Sequence, residues 1–191
     1  MGWTDLLRRR SPRTRTTPVG VAASLAQSIV ESTNALLERL EAEGFSRADP
    51  VRARSDECLL ECTLFEWFLR DVEVTRDFGN STAAVREALA GRLVIDLERS
   101  GVTPSCLRDF DERGRRRFAE YAAALALSSS LQPLGAAVWT RISGGREPSE
   151  RMTMLVAVRA SAELARLKGL GARYRIVGTL PSPPPPPEAH P

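Results

Sequence analysis

The chain has 191 residues, a formal charge of +3 and hydrophobic residues at 42% of positions. That length supports one domain whose core needs no staple, and three cysteines, an odd number, argue against a disulfide framework. The single histidine, His190, sits in a terminal proline tract, which argues against histidine-based zinc, haem and Ser-His-Asp chemistry in the folded part.

The positive charge is unevenly spread. Residues 1–17 hold Arg8, Arg9, Arg10, Arg13 and Arg15 against one acid, Asp5, and residues 182–191 hold only Glu188. The span 18–181 then balances 22 basic against 22 acidic residues. A neutral body makes nucleic acid a disfavoured partner, since field-driven binding needs excess positive charge on the folded part. All but one of the 27 basic residues are arginine, a bias that fits a GC-rich, bacterial coding sequence.

From the start of the chain, residues 1–17 read as a basic, disordered leader. Charges there are not followed by an apolar run of secretory length, Leu6 stands where an acylation signal wants Ser or Thr, and no stretch is long enough to span a bilayer. The cytoplasm is the expected location, with no membrane partner. Residues 18–180 read as the folded domain, and 181–191, SPPPPPEAHP after Pro181, as a disordered polyproline II tail.

Proline and glycine punctuate the domain. Pro50, Pro104, Pro133 and Pro148 suit first helical positions, and Gly44, Gly79, Gly101, Gly144 and Gly169 suit helix ends. Helices are expected near 19–43, 50–77, 81–100, 104–130, 133–143 and 148–168, with a strand only at 174–177. The fold class is all-α: a single-domain, up-and-down bundle of about six helices with short loops and disordered termini.

The first helix turns Leu25, Ile29, Leu36 and Leu40 to the core. The second, CLLECTLFEWFLRDV, is apolar over most of its circumference and reads as the centre of the bundle. Cys58, Cys62, Phe65, Leu69 and Val72 form its main stripe, with Trp67 and Leu60 on the far side. Cys58 and Cys62 read as reduced, buried thiols. Glu66 and Arg70 are expected to be an exposed i,i+4 pair, while Glu61 falls among Phe65, Val72 and Phe68 and is expected to be at least half buried.

In the third helix Val85, Ala88, Leu89, Leu93 and Ile95 mark an inward arc with Arg92 and Asp96 in its middle. In the last, Met152, Leu155, Val158 and Ala162 mark the inward face, with Arg159 and Arg166 along it and Glu163 beside them. Glu61, Arg92, Asp96, Arg159, Glu163 and Arg166 thus form the candidate site. Buried charges must pair, reach solvent or bind something, so the cluster is either an internal network or an inter-helix pocket for a small anionic ligand or a partner group.

No nucleophile–base set, metal-ligand set or phosphate loop accompanies these residues, so no catalytic residue and no cofactor is assigned. The expected function is a non-enzymatic protein-interaction or ligand-binding module, with a protein partner or a second copy of the chain. Two alternatives stand beside it. One is an enzyme using carboxylate and arginine chemistry alone. The other is a DNA-binding helix-turn-helix at 93–117, presenting Ser105, Arg108 and Arg115 to base edges. Leu97 is bulky for that turn, and Asp109, Asp111 and Glu112 would meet phosphate repulsion.

Overall fold

The computed structural model describes residues 13–146 and 149–177. The expectations for residues 1–12, for Pro148 and for the proline tract fall outside the described residues.

A short strand, β1 (Thr14–Thr16), leads into α1 (Pro18–Ala42), which opens with Thr17 accepting from the Gly20 amide and a proline in the first turn. Two one-turn helices follow, α2 (Phe45–Ala48) and α3 (Pro50–Ala53). Then come α4 (Asp56–Asp77), α5 (Thr82–Arg99), the one-turn α6 (Pro104–Leu107), α7 (Phe110–Ala126), α8 (Gln132–Ile142) and α9 (Glu150–Leu167). A final strand, β2 (Tyr174–Ile176), runs parallel to β1 with Arg15 opposite Arg175. The all-α class holds, with nine helices and a two-stranded ribbon among the described residues.

The structure breaks two of the six expected helices, adds the one-turn α2 between two of them, and joins part of the leader to the domain. The helix expected over 50–77 breaks at 54–55, because Ser55 turns extended and caps α4 by accepting from the Cys58 amide. The helix expected over 104–130 breaks at 108–109 and ends at Ala126. The leader is not wholly apart from the domain: Thr14–Thr16 pairs with the 174–176 strand.

The core is built around α4. Its residues from Leu60 to Asp71 are all buried, polar ones included. α1, α7, α8 and α9 all pack on it, and α5 lies across both α1 and α4. α8 and α9 approach closely because Gly135 has no side chain; a Cβ there would collide with the Thr153 carbonyl. Arg52 ties α3 to the end of α8, donating to the Ile142 and Arg141 carbonyls at 2.8 Å each, which satisfies two of the orphan acceptors of a helix C-terminus. No described helix is long and apolar enough to cross a membrane.

Candidate functional site

Three of the six candidate residues come together, around two that were read as exposed. Glu66 and Arg70 are fully buried on the flank of α4 that meets α1 and α9. Arg70 donates to the Glu66 carboxylate, to the Ser32 hydroxyl at 2.6 Å, to the Ser28 hydroxyl at 3.1 Å and to Glu163 at 3.3 Å. Arg159 donates to the other Glu66 oxygen at 3.0 Å and to the Ser32 carbonyl at 3.2 Å. Arg166 closes the set on Glu163 at 2.7 Å. Every carboxylate in this cluster is matched by the chain's own guanidinium groups.

The electrostatics agree with that geometry. Burial pulls the Arg70 pKa down, against the charges of Glu66 and Glu163, which hold it up. Burial alone would raise the Glu163 carboxyl, yet the Arg166 hydrogen bond and the charges of Arg70 and Arg159 outweigh it and hold Glu163 below its ordinary value. Removing one partner of such a buried pair strands the other, at a cost of about 3–5 kcal/mol.

The remaining candidates sit elsewhere. Glu61 is buried, but its partner is Arg117 of α7, gripped through two bonds of 2.8 Å. Arg92 and Asp96 do pair, at 2.9 Å, but on the surface of α5, with 46% of the Arg92 side chain exposed. The inward face of α5 is Val85, Leu89, Leu93 and Leu97, while Ile95 is exposed. Counting Ile95 and Ala88 as core turns the wheel by about 65°, enough to bring Arg92 and Asp96 to its middle.

α9 carries the same kind of error. Its buried face is Met152, Val156, Ala160, Glu163 and Leu167, and Val158 is 61% exposed. Arg159 and Arg166 therefore reach into the cluster from the edge of the helix rather than from its centre. The charges of Glu66 and Arg70 suggest a solvent face, yet both side chains are fully buried. The signal against that was already in the sequence: a helix apolar on nearly all sides has no solvent face to offer them.

The helix-turn-helix outline is not realised as drawn. A reading helix opening at Thr103 lasts one turn, and Asp56 holds the turn by accepting from the Thr103 amide and hydroxyl. Ser105 lies on α6, Arg108 at the break and Arg115 on α7, so the three share no helix face. Cys58 and Cys62 are both buried, and the Cys58 hydrogen bond together with burial pushes the Cys62 thiol well up, so it stays a thiol. Among the described residues no three His, Cys, Asp or Glu side chains converge as a metal site.

The opposite flank of α4 is open. α5 and α7 leave between them a groove of about 710 Å³ whose floor is Trp67, Phe68 and Val72, with Phe118, Ala90 and Ala122 on its walls. Trp67 stacks on Phe110 at 5.4 Å and takes the edge of Phe118 at 5.0 Å. Gly114 lets α7 close down on that indole, since a Cβ would come within 3.2 Å of it. At one end Arg86 grips Asp71 through two bonds of 2.5 Å and adds the Thr75 hydroxyl at 2.7 Å. Glu87, Asp111 and Arg115 stand on the rim, and none of them lies in a salt bridge with another described residue.

Comparison with protein families, with curated proteins and with solved structures gives no match for this chain.

Proposed function

We propose that this protein is a non-enzymatic interaction module that receives an amphipathic helix of a partner protein in the α4–α5–α7 groove. The observation that carries this reading is an open apolar groove of about 710 Å³ with an aromatic floor. Its floor runs from Trp67 to Thr75 of α4, about 12 Å or two helical turns. That length suits a helix anchored by apolar residues at i, i+3 or i+4, and i+7.

The rim selects the charge of the guest. Arg86 is engaged by Asp71, which leaves Glu87 and Asp111 against Arg115, an acidic balance. The partner helix therefore carries basic residues beside its apolar stripe. The buried cluster around Arg70 serves as the strut that fixes α1, α4 and α9 behind the groove, rather than as the site for a small anion.

A designed peptide with leucines at those spacings and flanking lysines is the probe. Titrated into the full chain, it is expected to bind, and Glu87→Lys with Asp111→Lys to weaken it at least tenfold while leaving the melting temperature within a few degrees. Equal affinity for the charge-reversed variant would refute the charge reading. No binding would refute the groove.

A second reading has its own observation. Val158 and Met154 are exposed beside Ala35 in a depression of about 510 Å³ between α1 and α9. On α1, Glu31, Ala35 and Arg39 follow one another at four-residue steps, so two copies crossing antiparallel at Ala35 would set acid against base twice, as an isologous dimer requires. Sedimentation of the wild type and Val158→Arg tests it: a dimer that the substitution splits supports this face, and a wild-type monomer removes it.

A further inference from the structure

We propose that the β1–β2 ribbon is a second, separate binding surface, which takes the phosphate backbone of nucleic acid without reading its bases. The parallel register sets Arg15 directly opposite Arg175, and Arg13 and Arg173 immediately precede the two strands. All four are exposed. None of them forms a salt bridge with a described acid; the Arg173 side chain donates to the Arg166 carbonyl, at 3.1 Å. That sets them apart from Arg70, Arg86, Arg113, Arg117 and Arg159, each of which is held by a carboxylate.

The other face of the ribbon belongs to the core. Tyr174 reaches the Ser24 hydroxyl at 3.0 Å and lies 6.4 Å from the Phe78 ring, and Ile176 packs against the buried residues. The exposed face is thus left to arginine. Like charges directly opposite one another weaken a strand pair, and a two-stranded ribbon has little stability to spare. An anion lying between Arg15 and Arg175 reverses that cost.

Two features strengthen the local field. α1 starts at Pro18, directly after β1, with no acidic residue in its first turn, so its positive dipole end is unopposed there. Lys168, at the end of α9, is also exposed. The neutral total over 18–181 concealed this patch, because β1 brings Arg13 and Arg15 from the leader onto the domain.

The chemistry favours phosphate, and phosphate on a polymer. The guanidinium fork bonds phosphate oxygens in pairs, and a row of such groups matches a repeating anion. A membrane surface would call for an apolar wedge beside the basic residues; the strands expose none, and Val19, at the start of α1, is a single small side chain. No exposed aromatic ring on the strands offers a stacking platform, so base identity goes unread.

The test is fluorescence anisotropy of the full chain with a labelled mixed-sequence duplex, in a salt titration, beside Arg15→Gln/Arg175→Gln and the control Arg92→Gln. Four phosphate contacts give a log–log slope of about −3.6, or roughly 150-fold weaker binding between 50 and 200 mM salt. The double variant is expected to lose about two units of that slope and keep its fold by circular dichroism, and the control to match wild type. Absence of binding at 50 mM salt overturns the proposal. So does a slope unchanged in the double variant, which would assign binding to other cations, and so does binding confined to anionic phospholipid vesicles.

Discussion

The two flanks of α4 are finished in opposite ways. Toward α1 and α9 it presents Glu66 and Arg70, charged residues sealed from water; toward α5 and α7 it presents Trp67, Phe68 and Val72, apolar residues lining an open groove. Sealed charge needs partners, and the neighbouring helices supply most of them through Ser28, Ser32, Arg159 and Glu163, while Arg70 Nε has none among the described residues. Apolar residues on the other flank make no such demand, so α5 and α7 can part above them. Polarity along one helix therefore says little about which flank meets water; the neighbours decide it.

The largest effect should come from the sealed flank. Glu66→Ala leaves Arg70 and Arg159 to share Glu163, 3.3 and 3.4 Å away, and should cost about 3 kcal/mol in denaturant unfolding, the low end for a broken buried pair. A loss below 1 kcal/mol would mean that water reaches the cluster. Glu61→Ala, which removes the grip on Arg117, should cost less, about 1.5–3 kcal/mol, because Arg117 is partly exposed and can turn to Glu120, 3.4 Å away.

The acid limb of the stability curve comes next. The Glu163 carboxyl is held below its ordinary value, so its contribution is full above the unfolded carboxylate pKa and is lost as pH falls through the folded one. The gap between wild type and Glu163→Gln should therefore narrow on acidification; a gap constant from neutral pH to acid would contradict the assignment. Smallest of all, Arg92→Ala should change stability by no more than about 0.5 kcal/mol, since its pair with Asp96 is an exposed i,i+4 contact.

Much of the fold was legible because its signals are local. Pro50, Pro104 and Pro133 do open helices, and Gly44, Gly101, Gly144 and Gly169 adopt the left-handed conformations that end or separate them. The break before α4 was also written in the sequence, as Ser55 followed by Asp56 and Glu57, a cap with acids in the first turn. The central place of α4 followed from its composition.

The site was legible only in part, because it depends on which helix lies beside which. Val158 and Ile95 looked like core markers and lie exposed; each drew a helix face toward the wrong residues. The pairing of Glu61 with Arg117 spans 56 positions and that of Glu66 with Arg159 spans 93, distances at which a wheel carries no information. The groove has no sequence signature, since it is made by the spacing of α5 and α7. The arginine ribbon is hidden for a related reason: its charge comes from two distant segments that only the strand pairing joins.

The most direct test of the groove is a map of amide chemical shifts while the leucine-and-lysine helical peptide is added to the full chain. Shifts are expected only at 67–75 on α4, 86–90 on α5 and 111–122 on α7, and are expected to be lost in Ala122→Trp, a substitution that fills the groove from an exposed position. Shifts on α1 and α9 with none around Trp67, or an unchanged map in Ala122→Trp, would contradict the groove reading.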